Sequence, residues 1–403
     1  MVEKMNICIV SREFPPDTAF GGIATYSLDT ARILKAHGHQ VFVFSQSTTS
    51  TYITTIQDIP VYKIKIPRIF TNYRQIFLPI FILAYNAMIF WHVWKQHRQL
   101  PFDIIDVPDH LAEGLFTLLL PDVPVVTRLH TPYSLLVEMG LNNYKKDLSF
   151  WLIKQLERTA LRRSSALYAP TLDLLQRCDR LLGIGNIKAE IFGYPLDLNL
   201  FSPLPQTHSS HQGRILFLGR LEQRKGIETI ASAFPKIYAQ HPHVSLTLVG
   251  TDTPNIPGFF SGRSYLESHF SRAGCLHAVN FMKNVPLQEL PEIFHTHDIV
   301  WVPSLYDNFP LICLEAMACG KSVVVSDAGG LPEMVQHQKT GLVFRRGNAD
   351  DLVEKTLMLL SQPELMTMLG KNARLFCEQN YNDDFIYQKN NILYQVALEA
   401  KRR

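Results

Sequence analysis

Short apolar runs alternate with helix-like segments along almost the whole chain, and this alternation constrains the fold more than any other feature. Parallel sheets covered by helices on both faces produce such a pattern. The runs predicted as strands are 6–12, 39–45, 59–65, 102–108, 123–129 and 165–170, followed by 214–220, 244–250, 278–283, 298–304, 322–327 and 341–346. The sequence therefore predicts an α/β chain with two doubly wound sheets.

The length and one irregular segment predict how the chain divides into domains. Its 403 residues favour two or three domains over one. Residues 192–214 concentrate Pro, Ser, His and Gly without a sustained hydrophobic period, which is typical of a linker. We therefore expect a first domain over 1–192, a linker over 193–213 and a second domain over 214–381. An amphipathic helix over 382–403 follows, and the pattern alone leaves its docking site open.

Charge and cysteine usage bound the partners and the compartment. The chain has 39 Lys plus Arg against 36 Asp plus Glu, a net charge of +3 that is too mild for a nucleic-acid-binding surface. The six cysteines form no Cys-x-x-Cys pair and stand in apolar stretches, as buried thiols do. The apolar run near residue 1 is too short for a signal peptide. The expected location is the cytoplasm.

Residues 76–94 form a run of 19 residues without a formal charge, close to the length that spans a bilayer. Pro79, Asn86 and His92 interrupt the run, and basic residues flank it on both sides, so nothing orients it across a membrane. The interruptions favour a helix packed within the domain. Contact with the inner face of the membrane and a true span stay open as alternatives.

Two glycine-containing loops follow predicted strands and are candidate phosphate sites. Gly21 and Gly22 precede a helix whose N-terminal N–H groups favour an anion, although they can equally form an ordinary turn. The loop from Gly219 to Gly226 lies at the carboxyl end of a strand, where open α/β sheets bind ligands. Its Arg220 and Lys225 suit a diphosphate, although a solvated basic loop is the alternative.

The segment 303–320 carries the most informative pattern. A strand ends, a tight loop contains Asp307, and an apolar helix follows that contains Glu315. A carboxylate on an apolar helix needs a partner, which a ribose diol or a nearby arginine would supply. The Gly320-Lys321-Ser322 triplet is not the end of a phosphate-binding Walker loop, because Glu315 stands where that motif needs its first glycine.

These motifs, in this order and spacing, resemble the retaining, nucleotide-sugar-dependent glycosyltransferases of family 4. The resemblance covers nearly the whole chain and includes the early Gly-Gly loop and the segments 36–41, 128–132, 219–226, 303–320 and 328–333. It implies the GT-B architecture, in which two Rossmann-like domains face each other across a cleft. It also implies that the helix over 382–403 returns to the N-terminal, acceptor-side domain.

The resemblance implies a role for each candidate residue. Arg220 and Lys225 would bind the donor diphosphate, Glu315 the ribose and Asp307 the hydroxyls of the donor sugar, while His130 would lie beside the transferred sugar. Catalysis would involve His130, Arg220, Lys225 and Asp307. The residues implied in donor binding are Gly21, Gly22, Gly219, Arg220, Lys225, Met282, Asp307, Asn308, Phe309, Pro310, Leu311 and Glu315.

The implied reaction moves a sugar, with retention, from a UDP- or GDP-sugar to a hydroxyl of a saccharide, lipid or small molecule. It needs no metal and no cofactor, because the nucleotide sugar is a substrate and basic side chains stabilise the leaving diphosphate. A nucleotide-sugar epimerase of the same fold and a catalytically silent sugar-binding or membrane-peripheral protein are the alternatives. The presence of Arg220, Lys225 and Glu315 together favours the transferase.

Overall fold

The computed structural model describes residues 4–18, 22–66, 78–140, 146–204, 212–256 and 258–402. The chain divides into two compact units. The first unit comprises Met1–Pro195 together with Asp383–Arg403, and the second comprises Leu196–Asn382.

Within the described residues, the first unit contains an eight-stranded sheet. Its order is β3-β4-β2-β1-β5-β6-β7-β8, and every pairing is parallel except β3 with β4. The strands are β1 (Asn6–Val10), β2 (Gln40–Ser47), β3 (Tyr52–Ile56), β4 (Ile59–Lys65), β5 (Ile104–Pro108), β6 (Val125–Arg128), β7 (Ala166–Ala169) and β8 (Ala189–Ile191). The six runs predicted as strands in the first half of the chain all contain strands, whereas β3 and β8 were not predicted.

The helices of this unit follow the strands in the alternation that the sequence predicts. Within Met1–Pro195 they are α1 (Gly22–Ala36), α2 (Leu78–Gln99), α3 (Tyr133–Glu138), α4 (Leu148–Arg163) and α5 (Leu172–Leu182).

Helix α2 contains most of the charge-free run over 76–94, whose first two residues lie outside the described part of the chain. Its buried residues include Ile82, Asn86 and Ile89. The Asn86 side chain donates to the Ile82 carbonyl at 2.9 Å and accepts from the Leu115 backbone N–H at 2.9 Å. Asn86, which interrupts the apolar run, thus joins α2 to the backbone at Leu115. No helix in the described ranges has the length and apolar character needed to cross a membrane.

The second unit contains a six-stranded parallel sheet in the order β13-β10-β9-β14-β15-β16 and an antiparallel hairpin. The strands are β9 (Arg214–Leu218), β10 (Ser245–Val249), β11 (Pro254–Ile256), β12 (Phe259–Ser261), β13 (Val279–Met282), β14 (Ile299–Val302), β15 (Ser322–Ser326) and β16 (Leu342–Phe344). The six predicted runs of this half also contain strands. The β11–β12 hairpin was not predicted.

The helices of the second unit cover its parallel sheet. They are α6 (Ile227–Gln240), α7 (Gly262–Arg272), α8 (Leu290–His295), α9 (Leu311–Ala318), α10 (Leu331–Met334), α11 (Ala349–Ser361) and α12 (Pro363–Asn380). The apolar faces of α6, α7, α11 and α12 meet the sheet in a core that contains Phe217, Phe234 and Trp301, all nearly fully buried.

The second unit begins earlier than the expected linker over 193–213 allows. The Leu196 N–H donates to the Tyr381 carbonyl at 3.2 Å. Phe201 is buried, and its carbonyl accepts from the Arg374 guanidinium at 2.6 Å. Residues 196–204 are therefore part of the second unit, which Tyr381 and Arg374 join to them by backbone hydrogen bonds. Residues 205–211 of the expected linker lie outside the described residues.

The C-terminal helix, α13 (Asp383–Arg402), packs against α1, β6, β7 and β8 of the first unit. Its buried Asn390 and Tyr394 reach a charged pair in the sheet. Arg128 of β6 is 2% exposed and donates to Asp106 of β5 at 2.5 to 2.8 Å. Arg128 also donates to Asn390 Oδ1 at 2.6 Å, and the Tyr394 hydroxyl donates to Asp106 Oδ2 at 2.7 Å. The helix therefore covers and completes a buried ionic network.

We predict that Asp106→Asn destabilises the first unit by about 3–5 kcal/mol, because the substitution leaves the buried Arg128 guanidinium without its counter-charge. Urea unfolding followed by tryptophan fluorescence measures this, since Trp91, Trp94 and Trp151 report on the first unit.

The matched control is Asp383→Asn, at the first residue of α13. It removes the ion pair of Asp383 with Arg32 at 2.7 Å, in which both side chains are about a third or more exposed. Its loss should cost under about 1 kcal/mol of unfolding free energy. Equal costs for the two variants would show that α13 does not depend on the buried pair.

Candidate active site

The first site loop lies at the carboxyl end of β9 and leads into α6. Gly226 ends this loop with φ +81°, and a Cβ at this position would lie 1.9 Å from the Pro303 carbonyl oxygen. Only glycine therefore permits the close approach of the loop to the end of β14, which pairs directly with β9. The contact is fixed further by the Leu305 N–H, which donates to the Arg224 carbonyl at 2.8 Å.

This approach brings Lys225 onto Asp307, two of the predicted site residues. Lys225 Nζ lies 2.5 Å from Asp307 Oδ2, and the two side chains are 18% and 14% exposed. The Ser304 hydroxyl donates to the same carboxylate oxygen at 3.3 Å. The pair is partly shielded from water, where the attraction between charges is stronger than at an open surface.

The ion pair continues outward through three more side chains. Arg224 lies 3.8 Å from Asp307 and 2.9 Å from Glu222, and Glu222 in turn lies 3.2 Å from Arg220. Arg220 is the exposed end of this chain, with 56% of its side chain accessible. The five side chains alternate in sign and carry one net positive charge, so the cluster has positive charge left for an anion.

Asp307 is held in its ionised form. Burial acts to raise the pKa of its carboxyl group, but Lys225 and then Arg224 outweigh burial and leave the pKa below its ordinary value. The folded protein thus gains stability from this pair at pH values above the ordinary aspartate pKa of about 3.9, and loses that stability as the pH falls through the lowered pKa.

The loop that contains Asp307 passes into α9, which carries the other predicted carboxylate. Asn308, Phe309 and Pro310 are buried, and Pro310 precedes the first helical residue, Leu311. Glu315 is also buried, one turn into a helix whose remaining buried side chains are apolar or cysteine.

A second glycine packs against the backbone of the loop that contains Asp307. Gly329 has φ +58°, and a Cβ there would lie 2.1 Å from the Asp307 carbonyl oxygen. That carbonyl also accepts from the Gly330 N–H at 3.0 Å. The backbone of Asp307 is therefore fixed independently of its side chain.

Two further predicted residues lie at the ends of the strands on either side of β10. Gly219 follows β9, and its N–H donates to the Val249 carbonyl at 2.9 Å. Met282 ends β13 and is half-buried, and its carbonyl accepts from Gly250 at 3.1 Å. The second unit thus contains all the predicted site residues from Gly219 to Glu315.

The remaining predicted residues belong to the first unit. Gly22 begins α1 and is exposed, and nothing lies within 4 Å of a Cβ placed on it. Packing among the described residues therefore does not require glycine at this position. Gly21 lies outside the described residues.

His130 is buried in an aromatic cluster of the first unit. Its Nδ1 lies 2.7 Å from the Tyr194 hydroxyl, and the Tyr26 ring meets it edge-on with 4.9 Å between ring centroids. Burial, followed by the charge of Arg128 and by His110, lowers the pKa of His130 to about 3. The imidazole is therefore neutral near pH 7 and can act by hydrogen bonding but not as a charged group.

The sequence reasoning missed several residues of these sites. Arg224 and Ser304 contact Asp307, and Tyr26 and Tyr194 enclose His130. The three basic residues of the 219–226 loop were a signal for Arg224. The sequence contains no comparable signal for the tyrosines, which lie far from His130 along the chain.

We predict that Lys225→Met raises the pKa of Asp307, because burial is then opposed mainly by the more distant Arg224. A pH titration of the aspartate carboxyl carbon by NMR measures the shift. Arg220→Met is the matched control: its contact is with Glu222, so it should leave the Asp307 pKa nearly unchanged. An unchanged pKa in Lys225→Met would mean that this lysine does not set the charge state of Asp307.

Two family models match the chain. The model described as Glycosyltransferase Family 4 matches residues 20–200, and the model described as Glycosyl transferases group 1 matches residues 205–376. The two matched regions lie almost entirely in the first and the second unit, respectively.

Two relatives found by sequence similarity support the family matches. An uncharacterized glycosyltransferase of Methanocaldococcus jannaschii is 33% identical over 189 residues, which span 47% of this chain and 46% of that relative. A glycogen synthase of Mycobacterium tuberculosis is 24% identical over 99% of this chain and 95% of its own length.

Solved structures share the fold over nearly the full length. Sucrose-phosphate synthase from Thermosynechococcus elongatus superimposes with a TM-score of 0.75 at 21% identity, covering 98% of this chain and 100% of that one. Anabaena HepE, solved in complex with UDP-glucose, gives a TM-score of 0.67 at 17% identity over 99% and 100% of the two chains. With two α/β units, a family match in each and these neighbours, the chain belongs to the GT-B glycosyltransferases.

Proposed function

We propose that this glycosyltransferase moves a sugar, with retention of anomeric configuration, from a nucleotide sugar to a hydroxyl acceptor without a metal ion. The observation that carries the proposal is the Lys225–Asp307 pair at the carboxyl ends of β9 and β14. In this pair the Lys225 ammonium, which would bind a diphosphate, lies 2.5 Å from the Asp307 carboxylate, which would accept from sugar hydroxyls. The saccharide, lipid or small molecule that accepts the sugar is left open.

The residues of the second unit suit the parts of such a donor. Arg220, exposed at the outer end of the charge cluster, and Lys225, at its inner end, would bind the diphosphate. The backbone amides from Phe309 to Leu311, at the start of α9, would add hydrogen-bond donors to the same anion. Glu315 would accept from the two ribose hydroxyls.

The proposed reaction requires the protein to stabilise negative charge on the departing diphosphate. Lys225 is already held in place by Asp307, so little reorganisation is needed when that charge develops, and a preorganised group of this kind is worth about 3 kcal/mol of transition-state stabilisation. Asp307 is engaged by two cations, which makes it a weak nucleophile. This supports a role in orienting the sugar hydroxyls over one in forming a covalent intermediate.

In the first unit, Gly22 would let the phosphates approach the start of α1, and His130 would contact the transferred sugar as a neutral hydrogen-bonding group. The location proposed for the enzyme is the cytoplasm. All six cysteines are unpaired and buried, as expected in a reducing compartment.

The first experiment identifies the donor. Thermal shifts are recorded against a panel of nucleotides and nucleotide sugars that begins with UDP-glucose, the ligand in the HepE complex, and includes GDP-sugars. A ligand present at 100 times its dissociation constant stabilises the folded protein by about 2.7 kcal/mol, which such a screen detects.

With that donor, we predict that calorimetry distinguishes the binding roles of the two carboxylates. Glu315→Gln should weaken binding of both the free nucleotide and the nucleotide sugar, whereas Asp307→Asn should mainly weaken the nucleotide sugar. Each loss should be about 10- to 150-fold, because a charge-assisted hydrogen bond is worth about 1.5–3 kcal/mol. Equal losses for both ligands in both variants, with folding verified by circular dichroism, would show that the roles are wrongly assigned.

We also predict that slow hydrolysis of the donor in the absence of an acceptor persists in EDTA, because Arg220, Lys225 and the helix ends supply the positive field. The rate of hydrolysis is measured by chromatographic detection of the free nucleotide that is released. Lys225→Met is the matched variant and should reduce hydrolysis strongly with or without EDTA. Activity that disappears in EDTA and returns with magnesium or manganese would contradict metal independence.

A further inference from the structure

Helix α4 presents an apolar surface to solvent at its N-terminal end. Leu148, Trp151 and Leu152 are 75%, 52% and 48% exposed. Their spacing of three and four residues places them on one face of the helix. On the opposite face, Phe150 and Ile153 are fully buried in the core of the first unit. The helix is thus held by one apolar face and exposes a second.

The exposed face becomes basic toward the C-terminal end of the helix. Arg158, Arg162 and Arg163 are exposed and continue the same stripe at helical spacing. Trp151 itself contacts a cation, because Lys154 Nζ lies 5.4 Å from the centre of its ring. We call Leu148, Trp151, Leu152, Arg158, Arg162 and Arg163 the α4 face.

The positive charge of the α4 face is not balanced within the helix. Glu157 is the one acidic residue in the α4 sequence, and it is fully buried. Its carboxylate accepts from the backbone N–H groups of Tyr133 at 2.7 Å and Ser134 at 3.0 Å. The carboxylate of α4 therefore fixes the start of α3, and the arginines face solvent.

We propose that the α4 face docks the protein on an anionic lipid bilayer. A leucine and tryptophan cluster suits the interface between head groups and acyl chains, and the adjoining arginines suit negatively charged head groups. A second copy of the chain fits less well, because a symmetric contact through this face would bring arginines of equal charge together. The surface is distinct from α2, the charge-free helix, and the inference does not depend on the identity of the donor.

The test is co-sedimentation of the full-length protein with two kinds of vesicle. One contains phosphatidylcholine alone, and the other contains phosphatidylcholine with 30% phosphatidylglycerol. We expect binding to the anionic vesicles that weakens with added salt, and little binding to the neutral ones.

Two double variants divide the α4 face into its parts. Arg162→Gln/Arg163→Gln should weaken binding to anionic vesicles about 30-fold, since each basic residue near a charged membrane contributes roughly fivefold. Trp151→Ser/Leu152→Ser should weaken binding at least about tenfold and leave a larger share of it dependent on salt. Donor hydrolysis should be unchanged in both, because neither removes a residue of the proposed active site.

Matched controls remove the same chemistry elsewhere in the chain. Phe260→Ser removes a side chain that is 88% exposed on β12, and Arg272→Gln/Lys371→Gln removes two exposed charges from the second unit. Both should bind vesicles as the unmodified protein does. Circular dichroism and the thermal midpoint verify folding in each case.

Three results would overturn the proposal. The first is no binding to anionic vesicles. The second is equal binding by the α4 variants and their controls, which would place the contact on another surface. The third is a dimer in light scattering that Trp151→Ser/Leu152→Ser dissociates, without vesicle binding, which would assign the face to a second copy of the chain.

Discussion

The buried pair of Arg128 and Asp106 is the contact on which the first unit depends. Each partner is removed from water, and desolvating two charges costs several kcal/mol per ion unless further hydrogen bonds satisfy them. Those bonds come from Tyr26 on α1 and from Asn390 and Tyr394 on α13. The pair therefore requires two helices from opposite ends of the sequence, and it accounts for the polar side chains on the buried face of α13.

A second ionic contact organises the second unit in a different way. Lys225 and Asp307 lie at the ends of neighbouring strands and keep partial access to solvent. Their charges can thus respond to a ligand, whereas those of Arg128 and Asp106 are fully occupied by the protein. Gly226 and Gly329 hold the two loops against each other through backbone contacts, so the loops do not depend on the ion pair alone.

The sequence predicted the parallel strands well, because most of them are short apolar runs that are largely buried in a sheet; β13, which is only partly buried, is an exception. The missed elements lack that signal: β3 alternates half-buried and exposed residues at the edge of its sheet, and β8 has three residues. The site was predicted as separate motifs. The contact between Lys225 and Asp307, 82 residues apart, depends on β9 lying beside β14, and no local pattern contains that information. The aromatic enclosure of His130 depends in the same way on Tyr26 and Tyr194, which come from different parts of the chain.

The division of the first unit between two stretches of sequence has a consequence during synthesis on the ribosome. Asp106 and Arg128 emerge early, but Asn390 and Tyr394 follow only after the whole of Leu196–Asn382 has been made. At about 5–20 residues per second this takes tens of seconds. Throughout that interval the nascent first unit exposes the surface that α13 later covers, with two charges at its centre. The second unit is contiguous and can fold meanwhile, so the half of the protein that is translated first is the half that finishes last.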